Sequence, residues 1–131
     1  MLTEQNFLEF RKGYIDALLW SSVNNDADGE QFFDELANGY EDFTKQAQGI
    51  IDRECKDFLE SASPYLPEDG LDQVGHDFAL TRNGSGSSFW DRVDVYGEEE
   101  TENLNIIADS FLEISLEWWP EENKVDLLKH W

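Results

Sequence analysis

Residues 41–62, EDFTKQAQGIIDRECKDFLESA, carry the clearest periodicity in the chain. Apolar residues recur there every three or four positions, at Phe43, Ala47, Ile50, Ile51, Cys55, Phe58, Leu59 and Ala62. This spacing predicts an amphipathic α-helix of about five or six turns, and Ser63-Pro64 should end it. Cys55 lies on the apolar face, so we expect a small buried residue rather than a reactive thiol.

The segment before this helix also has helical periodicity. Between Glu4 and about Ser21, apolar residues recur at steps of three and four: Phe7, Phe10, Tyr14 and Leu18. Residues 22–30, SVNNDADGE, have the composition of a loop, and the apolar run 32–37 has room for one or two helical turns. We therefore predict that residues 1–62 form a helical half.

The second half of the chain changes character. Apolar and polar residues alternate over 77–82, residues 83–87 supply a turn that contains glycine, and Ser88-Phe89-Trp90 resumes an apolar run. This pattern predicts a β-hairpin over residues 76–92.

Downstream of that hairpin, we predict one more helix and a second hairpin. Thr101 is the expected N-cap of a helix that carries Leu104, Ile107, Phe111 and Leu112. Residues 113–119 alternate as a strand, 120–123 form a turn and 124–128 return as a second strand. The fold class is therefore predicted to be α+β, with N-terminal helices packed on a small antiparallel sheet with one inserted helix. We expect a single acidic domain over 1–131, made of a helical half (1–62) and a hairpin, helix, hairpin half (74–131).

The charge of the chain is its most unusual property. It has 30 acidic and 9 basic residues, a net charge of -21, yet 40% of its residues are hydrophobic and 14% aromatic. The apolar content is sufficient for one core and argues against disorder. A net charge of this size destabilises the compact state through self-repulsion, so we expect it to serve a partner that binds anions. Direct nucleic-acid binding is not expected, because no basic stripe is present.

The location of the protein follows from two absences in the sequence. No stretch of about 18 apolar residues occurs, and residues 1–6 lack the basic start of a signal peptide. We expect a cytoplasmic protein with no membrane partner.

Residues 74–92, VGHDFALTRNGSGSSFWDR, resemble the signature of a largely uncharacterised family of small acidic proteins from phages and other mobile elements, in which a GHDFWLTRNGHGAGFWDR-like hairpin recurs. The resemblance continues in residues 13–22, in the acidic loop 25–30 and in residues 55–59. Ala79 stands where the family usually has Trp, and Ser85 where it usually has His. The resemblance implies a mobile-element origin, a shared fold and a role directed at the host, but no particular activity.

The first functional hypothesis is mimicry of DNA. Phosphates along one DNA strand are spaced by about 3.4 Å of axial rise, and helical carboxylates three or four positions apart are separated by about 5–6 Å. The protein would bind a host DNA-binding or defence protein, such as a restriction nuclease, as a monomer or dimer and inhibit it without catalysis. The alternative is that the carboxylates only keep the protein soluble. The candidate partner-binding residues are Asp26, Asp28, Glu30, Asp34, Glu35, Glu41, Asp42, Asp94, Glu98, Glu99, Glu100, Glu102, Asp109 and Glu113.

A second hypothesis is calcium binding by residues 24–35. This segment fits the calcium-loop pattern with Asn24, Asp26, Asp28 and Glu35 as candidate ligands. Gln31 weakens the match, because an apolar residue normally stands at that position. Calcium is the only cofactor that we consider.

A third hypothesis concerns the predicted hairpin, where polar and aromatic residues are concentrated. Its arginines could hold a phosphate or carboxylate while Trp90 stacks on a base, or they could pair with Asp77, Asp91 or Asp94 and only stabilise the fold. An enzymatic site at residues 76–92 is the other form of this alternative. No nucleophile elbow or phosphate-binding loop is present, so we expect a protein that acts without catalysis. The candidate residues of this motif are His76, Asp77, Arg82, Asn83, Trp90, Asp91 and Arg92.

Overall fold

The computed structural model describes residues 3–24, 31–84 and 88–129. Within these ranges the chain forms five α-helices and two pairs of antiparallel strands, joined by short 3₁₀ turns. The helices are α1 (Glu4–Ser21), α2 (Lys45–Ala62), α3 (Leu71–Arg82), α4 (Val93–Tyr96) and α5 (Glu98–Ser110). The strands are β1 (Val23–Asn24), β2 (Gln31–Phe32), β3 (Ile114–Trp119) and β4 (Lys124–Lys129). The predicted α+β class is confirmed.

The two N-terminal helices begin at side-chain caps. The Thr3 hydroxyl accepts from the Asn6 backbone N–H, and the Asn6 side chain accepts in return from the Thr3 backbone N–H. Thr44 has an extended backbone, and its hydroxyl accepts from the Ala47 N–H at 3.1 Å. Each hydroxyl satisfies a backbone donor that the first helical turn leaves free, so the predicted helix of residues 41–62 begins at Lys45 instead.

Helices α1 and α3 pack so closely that their backbones touch. A Cβ atom on Gly13 would lie 1.8 Å from the Asp72 carbonyl oxygen, and one on Gly75 would lie 2.1 Å from the Phe10 carbonyl oxygen. Neither position has room for a side chain. These two glycines therefore set the separation of the two helices.

The predicted β-hairpin over residues 76–92 is wrong. Residues 71–82 form α3, and Phe89–Arg92 form a 3₁₀ turn. Helix α3 is buried on most of its circumference, and its interior includes the polar residues Asp77, Thr81 and Arg82. These buried polar residues interrupt the apolar stripe of the helix, and the resulting alternation resembles that of a strand.

Aromatic rings from α1, α2 and α3 meet in the core around Phe78. The ring of Phe78 stacks on Phe58 at 4.2 Å and on Tyr14 at 5.1 Å, and it meets Phe111 edge-on at 5.1 Å. Cys55 is buried in the same core, as predicted, and burial raises the pKa of its thiol. Rings in these stacked and edge-on arrangements stabilise a core beyond the area that they bury.

The C-terminal hairpin confirms the prediction for residues 113–128. Strands β3 and β4 pair antiparallel, with Trp118 opposite Val125. The start of α2 is joined to β4, because the Thr44 N–H donates to the Val125 carbonyl at 2.9 Å and the Thr44 hydroxyl donates to Asp126 at 2.6 Å. The small sheet is thereby fixed to the helical half.

Helix α5 begins three residues before the predicted N-cap. Gly97 precedes its first turn with φ of 100°, a conformation that favours glycine, while Thr101 is fully buried inside the helix. In the described ranges, no helix combines the length and the apolar character that crossing a bilayer requires.

We expect Gly13→Ala and Gly75→Ala each to lower the free energy of unfolding by about 1–3 kcal/mol, because the added methyl group forces two packed backbones apart. Gly49→Ala is the matched control. Gly49 also lies inside a helix, but a Cβ atom added there would have no neighbour within 4 Å, so this change should stabilise by about 0.5–1 kcal/mol. Urea unfolding of the three variants measures this difference, and equal effects at all three positions would contradict the close contact.

Candidate acidic binding surface

Helix α5 presents a continuous exposed face. At about 100° per residue, six exposed residues fall within an arc of about 120°. We call this set the α5 outer face: Glu98, Glu99, Glu102, Ile106, Asp109 and Ser110. The opposite side of the helix buries Thr101, Leu104 and Ala108 against the core.

The α5 outer face belongs to the most acidic described stretch of the chain. Residues 91–113 contain eight acidic side chains and one basic side chain. The single basic residue, Arg92, places its Nε atom 3.2 Å from an Asp77 carboxylate oxygen. Its charge is thus neutralised at α3, and the carboxylates of the α5 outer face are left without a cation from their own segment.

Helix stability explains only some of these acidic residues. Glu98, Glu99 and Glu100 lie in the first turn of α5, where the positive end of the helix dipole stabilises carboxylates. Asp109 lies in the last turn, which has no basic residue, and a carboxylate there is disfavoured by the same dipole. In the described ranges its carboxylate accepts one long hydrogen bond, from the Asn105 side chain at 3.4 Å.

The predicted acidic residues of the first half of the chain do not lie on α5. Asp34 and Glu35 are exposed in a 3₁₀ turn, and Asp42 accepts from the Asn38 backbone N–H at 2.7 Å. The Lys124 ammonium group donates to the Glu41 backbone carbonyl at 2.7 Å, so a positive charge lies beside Glu41. Asp26, Asp28 and Glu30 lie outside the described residues.

Lys124 also lines a cavity of about 470 Å³ near the start of α2. The cavity contains two lysines, Lys45 and Lys124, and two glutamates, Glu41 and Glu122, beside Trp119. Its formal charge is balanced, so it offers no preference for an anion over a cation. The cavity is therefore a poor candidate for an anion site.

Among the residues of the predicted hairpin motif, Arg82 has a structural role. Its side chain is fully buried, and its guanidinium donates to Glu54 at 2.7 Å, to the Tyr14 hydroxyl at 3.1 Å and to the Leu112 carbonyl at 3.0 Å. The predicted partners Asp77, Asp91 and Asp94 are wrong for Arg82. The observed partner, Glu54, lies 28 positions earlier, and no local spacing indicated it.

Asp77 forms a second buried hydrogen-bonding centre. Its carboxylate accepts from the Tyr96 hydroxyl at 2.7 Å and from the Gln73 amide at 3.0 Å, and it pairs with Arg92. The prediction that Arg92 pairs with an aspartate of the motif is confirmed. These contacts hold α3 against the segment that leads into α5.

The sequence pattern did not indicate the partner of His76. The Trp20 indole N–H donates to His76 Nε2 at 3.2 Å, and the two ring centroids are 5.4 Å apart. Trp20 is 44% exposed, and 56 positions separate it from His76, so periodicity could not reveal this contact.

The remaining motif residues have local roles or remain exposed. The Asn83 side chain accepts from the Ile114 backbone N–H at 2.9 Å and thereby fixes the start of β3. Asp91 forms a capping box with Ser88. Trp90 is 45% exposed. The small-ligand site at residues 76–92 stays a prediction.

The calcium loop is described only at its ends. Asn24 ends β1 and Glu35 lies in a 3₁₀ turn, while Asp26 and Asp28 fall outside the described ranges. Within those ranges, no three His, Cys, Asp or Glu residues are grouped as metal ligands. Calcium binding by residues 24–35 stays a prediction.

We expect Arg82→Met to lower the free energy of unfolding by about 3–5 kcal/mol, because it removes the cation from a buried ion pair. Arg53→Met is the control, since Arg53 is an exposed arginine of α2, and its effect should stay within about 0.5 kcal/mol. Replacing both partners, as Arg82→Met with Glu54→Met, should recover part of the loss. Chemical denaturation measures all three, and similar losses for Arg82→Met and Arg53→Met would contradict the buried pair.

Because two tyrosines are buried, we expect the free energy of unfolding to fall at alkaline pH. Burial raises the pKa of Tyr14 and of Tyr96 above the ordinary value. Both hydroxyls therefore stay protonated in the folded state at a pH where they ionise in the unfolded chain. Their stabilising contribution is fully present below pH about 10 and is lost as the pH rises further, by about 1.4 kcal/mol per pH unit for each tyrosine.

Unfolding free energies measured between about pH 9 and about pH 11.5 test this dependence, because that window spans the ordinary tyrosine pKa. Tyr96→Phe should make the fall of the unfolding free energy with pH less steep by about 1.4 kcal/mol per pH unit. A variant with the same pH dependence as the wild type would contradict the prediction.

Comparisons with protein-family models, with curated protein sequences and with solved structures find no match to this chain.

Proposed function

We propose that this protein acts without catalysis by binding a basic host protein through the α5 outer face, which occupies the partner's DNA-binding surface. The partner class is a host DNA-binding or defence protein, such as a restriction nuclease. The resemblance of residues 74–92 supports this direction, because it implies a mobile-element protein acting inside a host cell. We propose that the protein is cytoplasmic in that cell.

The observation that carries the proposal is the position of Asp109. This carboxylate shares one exposed helix face with three glutamates, yet it stands in the last turn, where the helix dipole disfavours it. A function that requires acidic groups along the whole length of α5 accounts for this cost. Solubility alone does not, because the same charge could stand anywhere on the surface.

The spacing along α5 suits a surface that normally receives DNA. At about 1.5 Å of rise per residue, Glu98 and Glu102 are separated by about 6 Å along the helix axis, and Glu102 and Asp109 by about 10 Å. These separations correspond to about two and three phosphate steps of one DNA strand. Lysines and arginines placed to contact every second or third phosphate of one strand would therefore find carboxylates at comparable intervals along the axis.

The charge of the whole molecule favours the encounter. A net charge of -21 attracts a basic surface over long range and raises the association rate at low ionic strength. Residues 93–113 contain no lysine or arginine, so the approaching cations meet no repulsion from that segment.

Affinity capture tests the proposal directly. The immobilised protein is exposed to host extract at low salt and eluted by a salt gradient, with and without excess duplex DNA. We expect a basic DNA-binding protein to be retained, to elute with salt and to be displaced by DNA. Retention of no protein that DNA displaces would contradict the proposal.

A charge reversal separates the functional role of Asp109 from a structural one. Asp109→Lys should raise the free energy of unfolding by about 0.3–1 kcal/mol, because it places a cation at the C-terminal end of α5, and it should weaken partner binding about tenfold or more. Glu121→Lys makes the same change in net charge at the exposed turn between β3 and β4 and should weaken binding much less. Thermal melts and dissociation constants for the captured partner measure both effects, and equal weakening by the two variants would argue for a general charge effect.

A further inference from the structure

We propose that Ile106 is an apolar anchor at the centre of the contact between the α5 outer face and the basic host protein. The host protein would present an apolar recess for it between basic side chains. The inference rests on the proposed function and names the chemistry of the partner's surface. The α5 outer face would then bind through an apolar centre with a charged rim, rather than through charge alone.

Ile106 is exposed where the fold does not require an apolar residue. Its side chain is 62% exposed, whereas Leu104 and Ala108 of the same helix are fully buried. A β-branched side chain also lowers helix propensity relative to alanine. Core packing and helix propensity both leave its presence unexplained.

On the surface of α5, Ile106 lies between two acidic residues. Glu102 lies four positions before it and Asp109 three positions after it, so both are its neighbours on the helix surface. Two further exposed apolar side chains, Val95 at 66% and Leu112 at 50%, belong to the same stretch, residues 91–113. The most acidic described stretch of the chain thus also carries a set of exposed apolar groups.

This arrangement is that of a protein interface rather than of a phosphate backbone. Stable interfaces have an apolar core, in which a few residues carry most of the affinity, and a polar rim. A duplex phosphate backbone offers no such apolar projection. The partner must therefore supply basic residues for the rim and an apolar recess for Ile106.

The negative charge of the α5 outer face favours a basic protein over two other binding partners. A second copy of the chain would bring another molecule of net charge -21 against the same carboxylates, and the like charges would repel. An anionic membrane surface would be repelled for the same reason. A basic protein surface complements both the carboxylates and the net charge of the chain.

The salt dependence of binding separates the two contributions. The dissociation constant of the captured partner is measured from low to high salt for the wild-type protein, Ile106→Ala and Glu102→Gln. Ile106→Ala should weaken binding about tenfold at every salt concentration and leave the slope of log Kd against log salt unchanged. Glu102→Gln should reduce that slope, because it removes one charge contact.

The control is Leu8→Ala, which removes a 41% exposed apolar side chain from α1 and should leave the affinity unchanged. Alanine has the higher helix propensity, so a thermal melt of Ile106→Ala should show an intact fold. If the partner binds and Ile106→Ala matches the wild-type affinity, the anchor is overturned while the proposed function stands. If no DNA-displaceable partner binds the wild-type protein, both are overturned.

Discussion

The buried guanidinium of Arg82 is the contact on which the packing of the helices depends. It reaches Tyr14 on α1, Glu54 on α2 and the Leu112 carbonyl just beyond α5, so one side chain of α3 joins three other parts of the chain. A buried cation is tolerated only when its donors are satisfied and a carboxylate balances its charge. An arrangement of the helices that moved these partners away would leave the Arg82 charge buried without them, which is strongly destabilising. The ring of Phe78 packs against the same guanidinium, with 5.6 Å between the Arg82 Cζ atom and the ring centroid.

Internal pairing of the basic residues also shapes the surface. Arg82 and Arg92 are bound to Glu54 and Asp77, and Arg11 is bound to Asp52 at 2.8 Å. These positive charges thus serve to hold elements together. The carboxylates of the α5 outer face remain exposed around Ile106, and this division of charge underlies the proposed binding function.

Local pattern predicted the helices and strands whose buried faces are apolar. Residues 4–21, most of 41–62 and the C-terminal hairpin follow the simple periods, because burial there coincides with apolar character. The same reasoning failed for α3, where Asp77 and Arg82 are buried with partners. It also missed Ile106, because an apolar residue next to the half-buried Ile107 gives no local sign of which one faces solvent.

The sequence by itself determined the α+β class, the single core and the strongly acidic character, since these follow from composition and from short-range periodicity. Only the tertiary structure decided which polar residues lie inside and which carboxylates share a face. Glu54 and Arg82 are 28 positions apart, and Trp20 and His76 are 56 positions apart. Such pairs form only when the chain has folded, because a buried charge or an indole N–H is bound by whatever partner the packing brings near, and no local repeat encodes that partner.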